Sequence, residues 1–324
     1  MILEKCIEII KDGNNIDFDL AYRLATETPA DVLYEAADHL RKYIHGDTFD
    51  LCSIINAKSG KCSEDCRFCA QSSHYDAEIE TYDVIEIDEA VVQARESDNN
   101  HVERISLVTA GRTASIEDLK KYGAIYKNLS ETTDLRYCAS MGMLTREKAR
   151  LLKSYGVERY HCNLEACKRY FPKICTTHTW EEKVETIRIA KEEGLEVCSG
   201  GIFGMGETLE HRLELAFELR DLDIYSIPIN VLTPIANTPF EDFTPMSLSE
   251  VLVGVAAYRF INPQAIVRLA GGRNQLGEKQ FSCFTSGANG AIVGNYLTTA
   301  GNNLSDDLDA IKKLGFRFAR EKNE

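Results

Sequence analysis

Hydrophobic and polar positions follow two regimes along this chain. Over residues 1–45 apolar side chains recur at helical spacing, as in Val32, Leu33, Ala36, Ala37 and Leu40, and predict two helices. Beyond them, short apolar or β-branched runs take turns with longer amphipathic stretches about eight times, the sequence form of consecutive strand–helix units. The predicted strands are 51–57, 104–109, 136–140, 159–164, 196–199, 226–232, 266–269 and 291–294. Ser115, Thr145 and Ser247 stand where helices should start, and Gly156 and Gly194 where helices should end. Eight units predict a (β/α)8 TIM-type barrel over residues 46–324, with an N-terminal helical extension over 1–45. An open doubly wound sheet shares this periodicity. The barrel is favoured because the unusual residues fall after strands, where a barrel gathers its loops at one C-terminal mouth.

Composition narrows the classes. The chain has 324 residues, 44% of them hydrophobic, enough for one large core, and a formal charge of −14 that argues against a nucleic-acid partner. No stretch reaches the roughly 20 apolar residues of a membrane span. Eleven cysteines without a secretory signal point to reduced thiols and metal ligands in the cytoplasm rather than to a disulfide scaffold.

Three of those cysteines carry the strongest chemical signal. Cys62, Cys66 and Cys69 form a C-x3-C-x2-C run after the first predicted strand. Three soft thiolates in one loop can hold three irons of a cubane and leave the fourth open to a substrate. A zinc site is the alternative, but zinc knuckles pair two halves, and His74 is the only imidazole close by in sequence. The run resembles the signature loop of the radical S-adenosylmethionine superfamily. That resemblance implies a 4Fe-4S cluster at Cys62, Cys66 and Cys69, and S-adenosylmethionine chelated to the open iron. It places Phe68 near the adenine and makes a 5′-deoxyadenosyl radical the product of reductive cleavage.

Two further cysteines, Cys138 and Cys198, lie within predicted strands, where a free cysteine is ordinarily a small core hydrophobe. Arg268 also lies in a predicted strand, and a guanidinium inside a barrel needs a partner: Glu165 or another carboxylate on one reading, a cluster or substrate anion on the other.

From about Asp50 to Phe316 the chain resembles the biotin synthase family. The matching segments are 60–72, Asn163-Leu164-Glu165, 176–179, 197–202 running on to Gly204 and Glu207, and 227–230. They continue with 267–269 through Gly272-Arg273, 286–289, Gly294 and Thr298-Thr299. The resemblance implies sulfur insertion into dethiobiotin at two unactivated carbons, with two S-adenosylmethionine molecules consumed and an auxiliary iron-sulfur cluster as sulfur donor. The auxiliary cluster is 2Fe-2S in the family and larger in some anaerobe-type members. Its ligands are three strand cysteines and an arginine, and Cys138, Cys198 and Arg268 match three of these four positions.

The remaining position falls on Ser106, a hard oxygen donor poorly suited to iron in a sulfide cluster. Cys175 is the first candidate to replace it, followed by Cys167 and Cys162, while Cys6, Cys52 and Cys283 read as core. The resemblance further assigns Thr109, Ala110, Gly111, Glu165, Ile202 and Gly204 to S-adenosylmethionine, and Asn163 and Asn230 to the ureido ring of dethiobiotin, where capping of strand ends is the plainer role. It also implies an electron donor such as flavodoxin or ferredoxin, and a homodimer. Methylornithine synthases and hydrogenase maturases are the alternatives within the superfamily, and a non-catalytic metal-binding protein the alternative outside it.

Overall fold

The computed structural model describes residues 2–298 and 301–320; Thr299 of the Thr298-Thr299 segment lies outside them. Ten strands form: β1 Thr48–Lys58, β2 Arg104–Thr109, β3 Arg136–Ser140, β4 Val157–His161, β5 Glu196–Cys198, β6 Gly201–Phe203, β7 Ser226–Val231, β8 Ile266–Leu269, β9 Gly290–Ile292 and β10 Arg317–Phe318. The pairing order is β5-β4-β3-β2-β1-β9-β8-β7-β6, parallel throughout, with β10 added beside β1. β5 and β6 are halves of one strand interrupted at Ser199–Gly200. The ring closes across this break, because Ser199 N donates to Ser226 O and Glu165 N to Gly200 O.

The break has a steric cause. A Cβ at Gly200 would sit 1.9 Å from Pro228 O, so only glycine lets the fifth and sixth barrel strands approach. Pro228 offers β7 no backbone N–H at that point. The barrel therefore has eight strand positions, as the periodicity predicts, although the 196–199 run is longer than expected and split.

Helix starts follow their signals: Ser115, Thr145 and Ser247 accept from Asp118 N, Lys148 N and Glu250 N. Gly156 and Gly194 take φ of +86° and +77° just beyond helices. The N-terminal segment differs from expectation and forms three helices, α1 Ile2–Lys11, α2 Phe18–Glu27 and α3 Ala30–His45. Pro29 forces Thr28 into extended backbone (ψ 132°) and divides what reads as one amphipathic stretch. α2 and α3 pack on helix Leu248–Ile261 and share one continuous core with the barrel.

Register fixes what points inward. Ile54, Ser106 and Cys138 are paired neighbours on β1, β2 and β3; Cys138 pairs with Arg159 on β4, and His161 with Cys198 on β5. Paired residues of a parallel sheet share a face, and every second residue along a strand returns to it. Cys52, Ile54, Ser106, Cys138, Arg159, His161 and Cys198 thus share the barrel's inner face. At the N-terminal end a charged layer closes the barrel: buried Arg104 meets Glu158 (3.4 Å) and Glu196 (3.3 Å), and Arg159 meets Glu196 (2.7 Å).

Candidate active site

The three-cysteine loop leaves β1 and closes on itself. Cys62 N donates to Gln71 O (2.9 Å), Ser73 N to Cys62 O (2.7 Å) and Cys69 N to Cys66 O (2.9 Å). Gly111, at the end of β2, donates its backbone N–H to the Cys62 thiol. The two acidic residues between Cys62 and Cys66 tie the loop to segment 174–178. Asp65 Oδ1 accepts from Thr176 N (2.8 Å) and Thr177 N (3.1 Å), and Glu64 Oε2 lies 2.6 Å from His178 Nδ1 and 2.9 Å from Thr177 Oγ1. Arg67 N donates to Ile174 O (3.0 Å). The Thr176-Thr177-His178 motif is therefore the clamp of the cysteine loop.

Cys175, the first candidate for the auxiliary cluster, lies near the barrel mouth as expected, but in this clamp against the cysteine loop. Its thiol lies 3.1 Å from Asp65 Oδ1 and 3.2 Å from His178 Nδ1, and the ligand atoms of Cys66, Cys175 and His178 lie within 4.8 Å of one another. The chain after β4 turns through Phe171–Lys173 and returns to the mouth, carrying Cys175 to the cysteine loop. Hydrogen bonding with Cys66, against the cost of burial, draws the Cys175 thiol down to about 4. Cys167 contacts Glu214 (3.2 Å), and Cys162 contacts Lys183 O (3.8 Å) while bordering the inner cavity beside His161 and Asn163.

Two adjoining cavities fill the upper barrel. The outer, about 220 Å³, is lined by Phe68, Cys69, Ile202, Asn230, Gly271 and Leu297 among others. The inner, about 250 Å³, is lined by Cys52, His161, Asn163, Glu165, Lys183, Cys198, Asn230 and Arg268 among others. Of the residues expected at S-adenosylmethionine, Phe68 and Ile202 line the outer cavity and Glu165 the inner one. Thr109, Ala110 and Gly111 run along the cysteine loop, with Ala110 N on Lys58 O (2.9 Å). Gly204, with φ +98°, donates its N–H to Glu207 Oε1 (2.9 Å), so Glu207 holds the turn after β6. Glu165 adopts φ +67° at the end of the β4 extension, and burial raises its carboxyl pKa against the pull of Lys183.

Both asparagines face the inner cavity while bracing strand ends. Asn163 Oδ1 accepts from Gly200 N (3.2 Å); Asn230 accepts from Gly271 N (2.9 Å) and donates to Gly201 O (3.1 Å). An amide has two donors and two acceptor lone pairs, so each keeps capacity for a ligand.

Deeper in the barrel, Arg268 is paired with Asp50 (2.7 Å) and Ser226 (3.1 Å), and Glu165 is not its partner. Cys198 and Cys52 lie close enough to Arg268 to raise its pKa further, and the thiols of Cys52 and Cys138 lie close enough to shift each other's ionisation. Cys52 is buried, as the sequence reading has it, and its thiol faces this group of sulfurs. Three residues of this site escaped the sequence. Lys183 reads as a solvated helix position, yet it is half-buried with Nζ on Asn163 O (2.9 Å) and lines the inner cavity. His161 and Cys52 were detectable, because period 2 places Cys52 on one face with Asn56, a polar residue at the barrel mouth. Burial, aided by Arg159, pushes the His161 imidazole down to about 3.

The donor chemistry fits two iron-sulfur groups. One thiol triad sits in a loop at the mouth, and further thiols face a cavity beside arginine. Buried atoms without a protein partner, His161 Nε2, Glu165 Oε2 and Arg268 Nε, belong to residues that line the inner cavity, as expected where a bound group completes the hydrogen bonding.

The barrel and its cysteine loop define the class, and the pattern of the Radical SAM superfamily matches residues 57–219. That of the Biotin and Thiamin Synthesis associated domain matches residues 228–317. The biotin synthase of Desulfotalea psychrophila is 52% identical over 305 residues, covering 94% of this chain and 90% of the relative. That of Acetivibrio thermocellus is 47% identical, covering 95% and 97%. The chain belongs to the biotin synthase family. Among solved structures, methylornithine synthase (TM-score 0.84, 17% identity, 99% of this chain and 98% of that one) and the hydrogenase maturase HydG from Carboxydothermus hydrogenoformans (0.82, 16%, 99% and 80%) share the fold. At those identities the likeness speaks for the barrel alone, and the two alternatives within the superfamily fall behind the biotin synthases.

Proposed function

We propose that the chain converts dethiobiotin to biotin by radical sulfur insertion, with S-adenosylmethionine at a 4Fe-4S cluster on Cys62, Cys66 and Cys69 and a sulfur-donating cluster deeper in the barrel. The observation that carries this reading is the pairing, in one barrel of this family, of a three-cysteine loop at the mouth with the thiols of Cys138 and Cys198 within. When bound, these groups supply the one-electron chemistry and the sulfur that acid–base side chains cannot provide at unactivated carbon.

The chain's own residues hold, orient and shield. Glu64, Asp65 and the 175–178 clamp fix the cysteine loop, and Gly111 N–H supports Cys62. Phe68 and Ile202 give the outer cavity an apolar wall for the adenosyl group, while the turn at Gly204, held by Glu207, shapes its edge. Asn163 and Asn230 present amide groups to the ureido ring between the two cavities. The charged layer of Arg104, Arg159 and Glu196 closes the far end and keeps water from the reacting carbons.

A flavodoxin or ferredoxin as electron donor, a homodimer and a cytoplasmic location complete the proposal. Among the described residues no helix is long and apolar enough to cross a membrane. The test is anaerobic incubation of the cluster-reconstituted chain with S-adenosylmethionine, a reductant and dethiobiotin, followed by mass spectrometry. Biotin and 5′-deoxyadenosine should both form, and Cys66→Ala should abolish both. Formation of 5′-deoxyadenosine without biotin would sink the sulfur-insertion reading.

A further inference from the structure

We propose that Cys52 is an iron ligand of the interior cluster and supplies the thiolate that the family's pattern would place at Ser106. The inference rests on the reading of an interior cluster at Cys138 and Cys198 and specifies how this chain completes it.

Position argues first. Ser106 pairs with Ile54 on β1, and Cys52 precedes Ile54 by two residues, so Cys52 and Ser106 face the same interior from adjacent strands. The thiol has moved one strand along the wall and one side-chain layer deeper. That step is about 5 Å across the sheet and about 7 Å along it, within the span of an iron-sulfur cluster and its ligands.

Contact argues second. The Cys52 thiol lies close enough to those of Cys138 and Cys198 for the three to perturb one another's ionisation, and its own hydrogen-bond partner is the neighbouring Ser53 O (3.8 Å). Cys52, Cys162, Cys198 and Arg268 line the same inner cavity, Cys162 at its upper end by Asn163; Cys138, Ser106, Cys175 and Cys167 are not among its walls. A cysteine acting only as a small hydrophobe would sit among apolar side chains. Cys52 instead faces two thiols and the Arg268–Asp50 pair.

Chemistry argues third. Sulfide-bridged iron prefers thiolate to hydroxyl, and each thiol that binds iron gives up its proton and adds a negative charge. Arg268 and Arg159 stand beside this group of sulfurs and offset that charge. The Ser106 hydroxyl is fully buried, and as a hard oxygen donor it is the poorer ligand for sulfide-bridged iron.

The experiment reconstitutes wild type, Cys52→Ala, Cys52→Ser, Ser106→Ala and the double variant Cys52→Ala/Ser106→Cys with ferrous iron and sulfide under anaerobic conditions. Iron and sulfide per chain are counted, and Mössbauer spectra resolve the two clusters. Turnover of S-adenosylmethionine to 5′-deoxyadenosine reports that the chain is folded and the loop cluster intact. Both Cys52 variants should lose the interior spectrum and keep that turnover. Ser106→Ala should keep both clusters, and the double variant should regain interior iron through the relocated thiol. Interior iron retained in Cys52→Ala, or lost in Ser106→Ala, overturns the assignment. A wild-type chain with only the loop cluster would overturn it together with the interior cluster itself, whereas wild type with both clusters but no biotin would leave the ligand standing and remove the function.

Discussion

At the scale of single residues, proximity in space overrode proximity in sequence. Cys175 and Cys52 are both buried thiols, and the sequence ranks Cys175 first because it lies beyond the fourth strand near the barrel mouth; the structure sets its thiol against Asp65 and Cys66 of the cysteine loop and His178 of the clamp. Cys175→Ala should therefore leave interior iron unchanged and weaken only the loop cluster, which iron counts with Mössbauer spectra will show. Asp65 makes the larger contribution to the same clamp. Asp65→Ala should leave the N–H groups of Thr176 and Thr177 without their acceptor, cost about 1–3 kcal/mol, and lower loop-cluster occupancy when iron is titrated into the chain. A titration matching wild type would remove Asp65 from that role. The family motifs at Cys62–Cys69 and Thr176–Thr179 were legible as motifs, but only the fold shows that one clamps the other.

His45 gives the residue scale a pH dependence. Burial, and then the charge of Arg259, hold its imidazole at about 4 in the folded chain, against about 6.5 when unfolded. Between those values the unfolded state binds the proton and the folded state does not. This contribution to stability is fully present above pH ~6.5 and is lost as pH falls toward ~4. Urea midpoints at pH 7 and pH 5 should drop more for wild type than for His45→Gln, which has no imidazole to protonate. Parallel drops would show that His45 does not carry the effect.

At the scale of elements, most of the barrel was legible because each strand and each helix start has a local cause. β2, β3 and β8 have the predicted bounds, and the caps at Ser115, Thr145 and Ser247 form as their spacing requires. What could not be read locally depends on neighbours. The split of the fifth strand arises from Pro228 on another strand, and β10 has only Arg317 and Phe318 to announce it. The 159–164 prediction slipped because β4 stops at His161 and continues as a looser extension to Glu165. Gly272 makes the dependence on neighbours testable. With φ +77° and a prospective Cβ at 1.7 Å from Val231 O, Gly272→Ala must move β7 or the loop after β8. It should destabilise the fold by about 2 kcal/mol or more, and urea denaturation unchanged from wild type would refute the close approach.

At the scale of the whole molecule, the barrel places two thiol groups at different depths on one axis, with two connected cavities between mouth and floor. The loop thiols follow β1's C-terminal end and the interior thiols lie on β1, β3 and β5, while Asn163 and Asn230 border the inner cavity. The three-cysteine loop, the barrel and the family were legible from sequence; the identity of the third interior thiol was not, because register and strand tilt decide which thiols meet. Arg104, Arg159 and Arg268 stand inside the barrel in ion pairs with Glu158, Glu196 and Asp50. The proposed activity requires the inserted sulfur to come from the protein's own cluster. Reconstituting the chain with isotopically heavy sulfide, removing free sulfide and running a single turnover on dethiobiotin should give biotin carrying the heavy sulfur; unlabelled biotin, or none while 5′-deoxyadenosine accumulates, would contradict it.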